Sequence, residues 1–147
     1  MDNITITHIN PKSPQYRQVL TLREEILRKP LGRSLTKEDI SLDHINTIFI
    51  AAHDDEVIAC LLLHHIDNDQ VQLRAMAVYN EWQGKGIGRK LVLAAEQHCL
   101  QKGYKKIILH GRKVATGFYK SLGYTITGDE FTEVGIPHYM MEKRLEK

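Results

Sequence analysis

The feature that most constrains this fold is a change of hydrophobic period around the six residues QGKGIG, Gln83–Gly88. Before them, VQLRAMAV (71–78) reads as a strand. After them, Ile87, Leu91, Ala94, Ala95 and Cys99 recur at three- and four-residue spacing, which predicts a helix over about 86–102 with one apolar face. Gly103 is placed to stop that helix, and KKIILH (105–110) reads as the next strand. Strand, helix and strand in succession imply a parallel pair joined by a crossover.

The flanking segments extend this unit. NITITHI (3–9) alternates apolar and polar residues, the period of a strand. Ser13-Pro14 predicts a helix start, with Ser13 as cap and Pro14 in the first turn. Tyr16, Val19, Leu20, Arg23 and Leu27 then lie along one side, and Pro30 and Gly32 end the helix. Residues 31–46 are polar and irregular, a mobile surface segment bordering a pocket, with a capping box at Thr36–Asp39 opening a short helix. TIFIAAH (47–53), VIACLLLHHI (57–66) and 71–78 are separated by short polar turns, which favour antiparallel hairpins. A short helix is expected over 112–122, ending at Gly123, then strands at about 124–127 and 137–144. The expectation is an α/β (α+β) fold in one domain, residues 1–147. Its mixed sheet has antiparallel N-terminal strands and a parallel central pair, flanked by helices.

Composition narrows the function. The formal net charge is only +2, and the basic residues fall in short separate clusters with no aromatic ladder between them. Nucleic acid is therefore not an expected partner. The longest clean apolar run, VIACLLL (57–63), is far short of the roughly 20 residues that cross a bilayer. MDNITITHIN has neither the basic start nor the apolar stretch of a leader, so a cytoplasmic location is expected. Cys60 and Cys99 lie on different predicted elements in apolar surroundings, as free buried thiols do in a reducing compartment. Apart from adjacent His64-His65, no histidines show metal-ligand spacing, and no metal is expected. Monomer and homodimer both fit.

The glycine stretch sits at a helix N-terminus, where backbone N–H groups are unpaired and the helix dipole is positive. Glycines there let an anion approach the backbone, so a phosphate fits, and Lys85, Arg89 and Lys90 flank it. It is not the phosphate loop ending in Gly-Lys-Ser/Thr, nor the dinucleotide fingerprint GxGxxG, because its spacing is Gly84-x-Gly86-x-Gly88. A tight strand-to-helix connection with no ligand accounts for the glycines equally well.

RAMAVYNEWQGKGIGRKLV, followed some thirty residues later by FYKSLGY, resembles the GNAT superfamily of N-acetyltransferases over nearly the whole chain. Gln83, Gly86 and Gly88 meet its Q/R-x-x-G-x-G/A signature, and Phe118–Tyr124 meet its FY-x-x-LG-Y/F motif. The ending GIPHYMMEKRL (135–145) is similar to a branch with small bacterial acetyltransferases and glucosamine-phosphate N-acetyltransferases. The resemblance implies acetyl-CoA as co-substrate. Gln83, Gly84, Lys85, Gly86, Ile87, Gly88, Arg89 and Lys90 would surround its pyrophosphate. Met76, Ala77 and Val78 would pair with the pantetheine arm as an added strand, with a backbone N–H near Ala77 or Val78 polarising the thioester carbonyl.

Tyr119 matches the family's general acid. Departing CoA is a thiolate, and a model thiol has a pKa of about 8.5 against about 10 for tyrosine. Without the resemblance, Tyr119 reads as a core aromatic beside Phe118. Phe118 and Leu122 share a helix face, and Tyr119 points about 100° away. For deprotonating the amine, His110 ends the strand before the Tyr119 helix, and His138 lies in GIPH near the expected acceptor. His64 and His65 point to opposite faces of a strand, so only one can face the site. HGRKVATGFY departs from the family pattern, in which an Asn or Gln with alanines before the FY motif contacts the CoA arm: Gly111 and Arg112 stand in unusual positions, and Gly117 weakens its helix by ~1 kcal/mol relative to Ala. Cys60 reads as packing.

The implied activity is acetyl transfer to a primary amine of a small molecule, with Arg23 and Arg28 as basic residues that could contribute to binding an acceptor phosphate. A non-catalytic acyl-CoA-binding or sensing module and a protein-amine acetyltransferase are the alternatives.

Overall fold

The computed structural model describes residues 3–146. Strands β1 (Ile4–Ile9), β2 (Thr47–His53), β3 (Glu56–His65) and β4 (Gln70–Val78) follow one another antiparallel. Helix α3 (Ile87–Gln101) crosses over to β5 (Lys106–Arg112), which runs parallel to β4. Strand β8 (Ile136–Arg144) returns antiparallel to β5, and β6 (Thr125–Ile126) and β7 (Phe131–Glu133) both pair with β8. The sheet order is β1-β2-β3-β4-β5-β8-β6, with β7 off that path on β8. Mixed architecture and parallel centre are as the sequence predicts.

Strand alternation sends side chains to two cores. On one face, Leu61, Leu63, Val71, Leu73, Ile107 and Leu109 pack under α3 and α4 (Thr116–Ser121). On the other, Ile48, Ile50, Val57, Cys60 and Leu62 pack under Val19 and Leu22 of α1 (Tyr16–Arg23). Strand β3 serves both cores, which is why VIACLLL has no polar alternation. A buried carboxylate ties the first core together. Glu96 of α3 accepts from the Tyr124 hydroxyl and from Lys143, each at 2.9 Å, tying the helix to the far end of the sheet.

Three local expectations change. Ser13 does not cap α1: its hydroxyl accepts from the Asn10 N–H at 3.2 Å, closing a turn, and the helix begins at Tyr16 with no side-chain cap. Past Arg23 the α1 helix widens into a π-turn over Glu24–Arg28, then a 3₁₀ turn ending at left-handed Gly32. The short strand β7 lies where no element is expected, in a hairpin whose turn holds Val134 and Gly135 at positive φ. The capping box at Thr36 is present: its hydroxyl accepts from the Asp39 N–H, and the Asp39 carboxylate accepts from the Thr36 N–H, opening α2 (Lys37–Ile40).

Candidate active site

The centre of the sheet is open. Strands β4 and β5 pair only over Gln70–Leu73 and Lys106–Leu109, then part. Just past the last pair, β4 carries a bulge: three steps on β4, from Arg74 to Ala77, match two on β3, from Leu62 to Cys60. Ala75 holds φ at +53°, and the Cys60 thiol donates to its carbonyl at 3.4 Å. Such a bulge bends the strand away from its neighbour. The edge from Arg74 to Val78 thus has no ladder partner on the β5 side and lines a cleft of about 1020 Å³. Burial pushes the Cys60 thiol, like that of Cys99, up to about 12, so it stays protonated.

One end of the cleft is the glycine stretch. Gly84 and Gly86 adopt φ of +77° and +81°, where any side chain would be strained. Gly88 has a different reason: a Cβ there would lie 3.0 Å from Met76 Cε and 3.3 Å from the Phe118 ring. The glycines therefore serve two turns and one close packing contact, and they leave the start of α3 bare. No side chain caps it and no acid lies in its first turn, so its N–H groups remain available to an anion. Gly84, Gly86, Ile87, Gly88 and Arg89 line this end of the cleft, whereas Lys85 and Lys90 do not. Lys85 instead lies over the Trp82 ring, 5.1 Å from its centre. Gln83 also lines the cleft, and its amide donates to the Val78 carbonyl at 2.9 Å, fastening the loop to the end of β4.

Tyr119 lies beside the parting of the strands. It is only 6% exposed, and its ring meets Tyr124 edge-on at 5.8 Å. Gly111 lies beneath it in a tight part of the core: a Cβ there would fall 3.1 Å from Leu109 and Met141, and in ordinary contact with the Tyr119 ring at 3.5 Å. Among the described residues the Tyr119 hydroxyl has no hydrogen-bond partner. Burial raises its pKa to about 12, against the opposing pull of Arg112. It is a proton-bearing donor at any neutral pH.

His110 and His138 both line the cleft, and both meet Glu133, a residue of β7 that sequence reasoning did not single out. His110 Nδ1 lies 2.9 Å from Glu133 Oε1, and His138 Nε2 lies 3.7 Å from Oε2. His138 is buried, and its Nδ1 is 3.0 Å from the Ile136 carbonyl. His64 and His65 are elsewhere, bonded to Asn46 and Tyr104.

The arginines are sorted differently from expectation. Arg23 is buried against Asp43 at 2.7 Å, and Arg28 meets the Asp39 carboxylate through two nitrogens at 3.1 and 3.3 Å. Burial works to raise the Asp39 pKa, but bonds from Arg28 and Thr36 overcome it and hold the carboxyl below the usual range. Both arginines line the cleft with their charges already paired. Arg74 and Arg112, which no sequence signal marked as binding residues, line it too.

Known proteins share this plan. The acetyltransferase (GNAT) domain family matches residues 12–145. An uncharacterized protein of Bacillus subtilis, YyaT, is 36% identical over 76 residues, covering 52% of this chain and 51% of the relative. An uncharacterized N-acetyltransferase of Chlorobaculum tepidum is 31% identical over 83 residues, 56% of this chain and 52% of its own. The chain spans about half the length of the curated relatives it matches. A candidate N-acetyltransferase from Lactobacillus plantarum superposes with a TM-score of 0.86 at 26% identity, over 97% of this chain and 99% of the other. A GNAT family acetyltransferase from Elizabethkingia anophelis, solved with acetyl-CoA bound, shares the fold at a TM-score of 0.74 and 24% identity, over 99% of this chain and 100% of the other.

Proposed function

The chain belongs to the GNAT acetyltransferase family, and from that premise we propose that it transfers acetyl from acetyl-CoA to a primary amine of a small molecule. The observation that carries this is the parted β4–β5 pair, with a bare helix N-terminus at one end and an unpartnered tyrosine hydroxyl beside it. The N–H groups at the start of α3 suit the pyrophosphate. The unpaired edge Arg74–Val78 suits an extended amide-bearing arm laid down as an added strand. Acetyl-CoA would supply the activated thioester.

The chain's own groups then have defined tasks. The amine attacks the thioester carbonyl carbon, and the carbon–sulfur bond breaks. Tyr119 donates to the departing sulfur, a step typically worth ~10²–10⁴-fold for a general acid. Rising from 10 to about 12 makes it a weaker acid, but burial also strengthens the hydrogen bond it offers to a forming thiolate. His110 or His138, directly or through water, takes the proton released by the amine; Glu133 orients the His110 ring and the Ile136 carbonyl the His138 ring.

Calorimetric titration with acetyl-CoA, CoA and ATP tests the first half. Tight binding of acetyl-CoA with little response to ATP supports it, and no binding to folded protein defeats it. Thiol release with an amine panel tests the second half. Wild-type protein that binds acetyl-CoA yet acetylates no amine, small or protein-borne, would instead be an acyl-CoA-binding module.

A further inference from the structure

Besides Arg89 at the glycine stretch, four arginines, Arg23, Arg28, Arg74 and Arg112, line the cleft. Arg23 and Arg28 are neutralised by Asp43 and Asp39. Arg74 and Arg112 are not. They sit on β4 and β5 just beyond Leu73 and Leu109, where the two strands part. Among the described residues Arg74 makes no side-chain hydrogen bond or ion pair, although it is half-buried. Arg112 is also half-buried, and it uses one donor, on the Leu27 carbonyl at 3.1 Å. Leu27 belongs to the π-turn, and its carbonyl also accepts from Arg28 at 3.2 Å, so the turn draws two guanidinium groups to one point.

A guanidinium carries five N–H donors, and those of Arg74 and most of Arg112 stay free along the wall of the cleft, where an anion can reach them. Burial first, and then the neighbouring Arg28, lower the Arg112 pKa, while Tyr119 and Glu133 pull the other way. Glu133 is the nearby acid, but its two oxygens face His110 and His138.

We propose that the acetyl acceptor is an amine that also carries an anionic group, a carboxylate or a phosphate, which Arg112 holds with Arg74 beside it. This rests on the acetyl-transfer reading above and narrows its substrate class. A planar guanidinium with free paired donors matches the two oxygens of either anion. Arg112 and Tyr119 line the same cleft and are near enough to act on one another electrostatically, so an anion held at Arg112 limits where the amine of the same molecule can reach.

The test has two arms. In the first, thiol release from acetyl-CoA is measured with matched amines: an amino acid and its amide, and an amino sugar with and without its phosphate. The anionic member of at least one pair is expected to have a kcat/KM about 10- to 100-fold higher, the range for a hydrogen bond to a charged group. Arg112→Gln should collapse that ratio at least tenfold, mainly through KM, and Arg112→Lys should restore part of it. Arg74→Gln removes no bond within the protein and should lower the ratio by a smaller factor without lowering Tm. An unchanged ratio in both Gln variants, or a preference for neutral amines, overturns the proposal.

The second arm does not depend on turnover. The Nε–H signals of Arg112 and Arg74, assigned by these substitutions, are followed by NMR as acetate and then inorganic phosphate are added, with and without saturating CoA. Saturable shifts of both signals support the site, and whichever anion binds tighter identifies the chemistry. No shift with either anion overturns it. If acetyl-CoA does not bind at all, the acetyl-transfer reading fails, and this arm still decides whether the anion site exists.

Discussion

Tyr119 and Tyr124 belong to one seven-residue motif, lie edge-on 5.8 Å apart, and have both been pushed upward in pKa by burial. Their hydroxyls have opposite fates. Tyr124 donates to Glu96, whose other oxygen takes Lys143, and Lys143 also reaches the Leu122 carbonyl at 2.7 Å. Every strong group in that cluster is answered from within the protein. Tyr119, Arg74 and most of Arg112 are answered by nothing among the described residues. A set of donors left open along a cleft is free to bond a ligand there, whereas a closed set spends its bonds holding the protein together.

The largest effect should separate the two tyrosines outright. Tyr119→Phe is expected to lower kcat ~10²–10⁴-fold while leaving the Kd for acetyl-CoA within about twofold, because only the transition state uses its proton. Tyr124→Phe should do the reverse, with little change in kcat and a loss of about 1–3 kcal/mol of stability as Glu96 loses a donor. Steady-state kinetics beside thermal melts would show it. Equal kinetic losses in both variants would mean that Tyr119 acts through packing, like its neighbour.

Next in size is the closed cluster itself. Glu96→Ala leaves the Lys143 charge and the Tyr124 hydroxyl without their acceptor. It should cost about 3–4 kcal/mol, seen as a fall in the midpoint of urea unfolding with an unchanged slope. The remaining activity should change little at temperatures where the variant is folded. A loss below about 0.5 kcal/mol would show that water replaces the carboxylate, and that the cluster is less closed than its geometry indicates.

A smaller effect sharpens the role of the glycines. Gly88→Ala meets Met76 Cε at 3.0 Å and the Phe118 ring at 3.3 Å, so it should cost about 1–3 kcal/mol through overpacking. Gly86→Ala meets nothing and is strained only by its φ of +81°, at about 1–2 kcal/mol. The two should differ in binding too: the Gly86 variant misaligns the start of α3 and weakens acetyl-CoA, whereas the Gly88 variant acts mainly on stability.

That split shows what the sequence could express. The parallel β4–β5 pair, α3 and its glycine stop were legible because period and punctuation are local properties of the chain. So was the capping box at Thr36, a contact between residues three apart. The π-turn at Glu24–Arg28 was not legible. It inserts a residue into a helical pattern without a breaker, and EEILR reads as ordinary helix. Strand β7 is only three residues long and is held by the pairing of Phe131–Glu133 with Ile136–His138 of β8, so no hydrophobic period announces it. The arginines were misjudged for a related reason. Arg23 and Arg28 lie in a basic-looking helix, but Asp43 and Asp39, some way along the chain, claim them. Arg112 stands in an unusual position before the motif, and it is left largely open because the nearby acid, Glu133, faces His110 and His138 instead. Charge pairing is a tertiary fact, whereas charge alone is what the sequence displays.

The smallest expected effect is an absence in a pH profile, and it tests whether burial governs Tyr119 as it does Tyr124. The neutral hydroxyl is the form that donates. Its pKa is raised from 10 to about 12, so it is fully protonated below pH 10 and loses its proton only as pH rises through about 12. The unfolded chain ionises at the lower value, so stability from this group is also complete below pH 10 and is lost above it. The acceptor amine must be neutral to attack, so kcat/KM should rise with pH as the amine loses its proton and then level off. No falling limb should appear up to about pH 10.5, within the range where circular dichroism shows the fold intact. A falling limb centred near pH 9, present in the wild type and missing in Tyr119→Phe, would mean that the proton leaves early. In that case the positive charge of Arg112 would outweigh burial, and the open half of the cleft would be set by its unpaired arginine more than by its apolar walls.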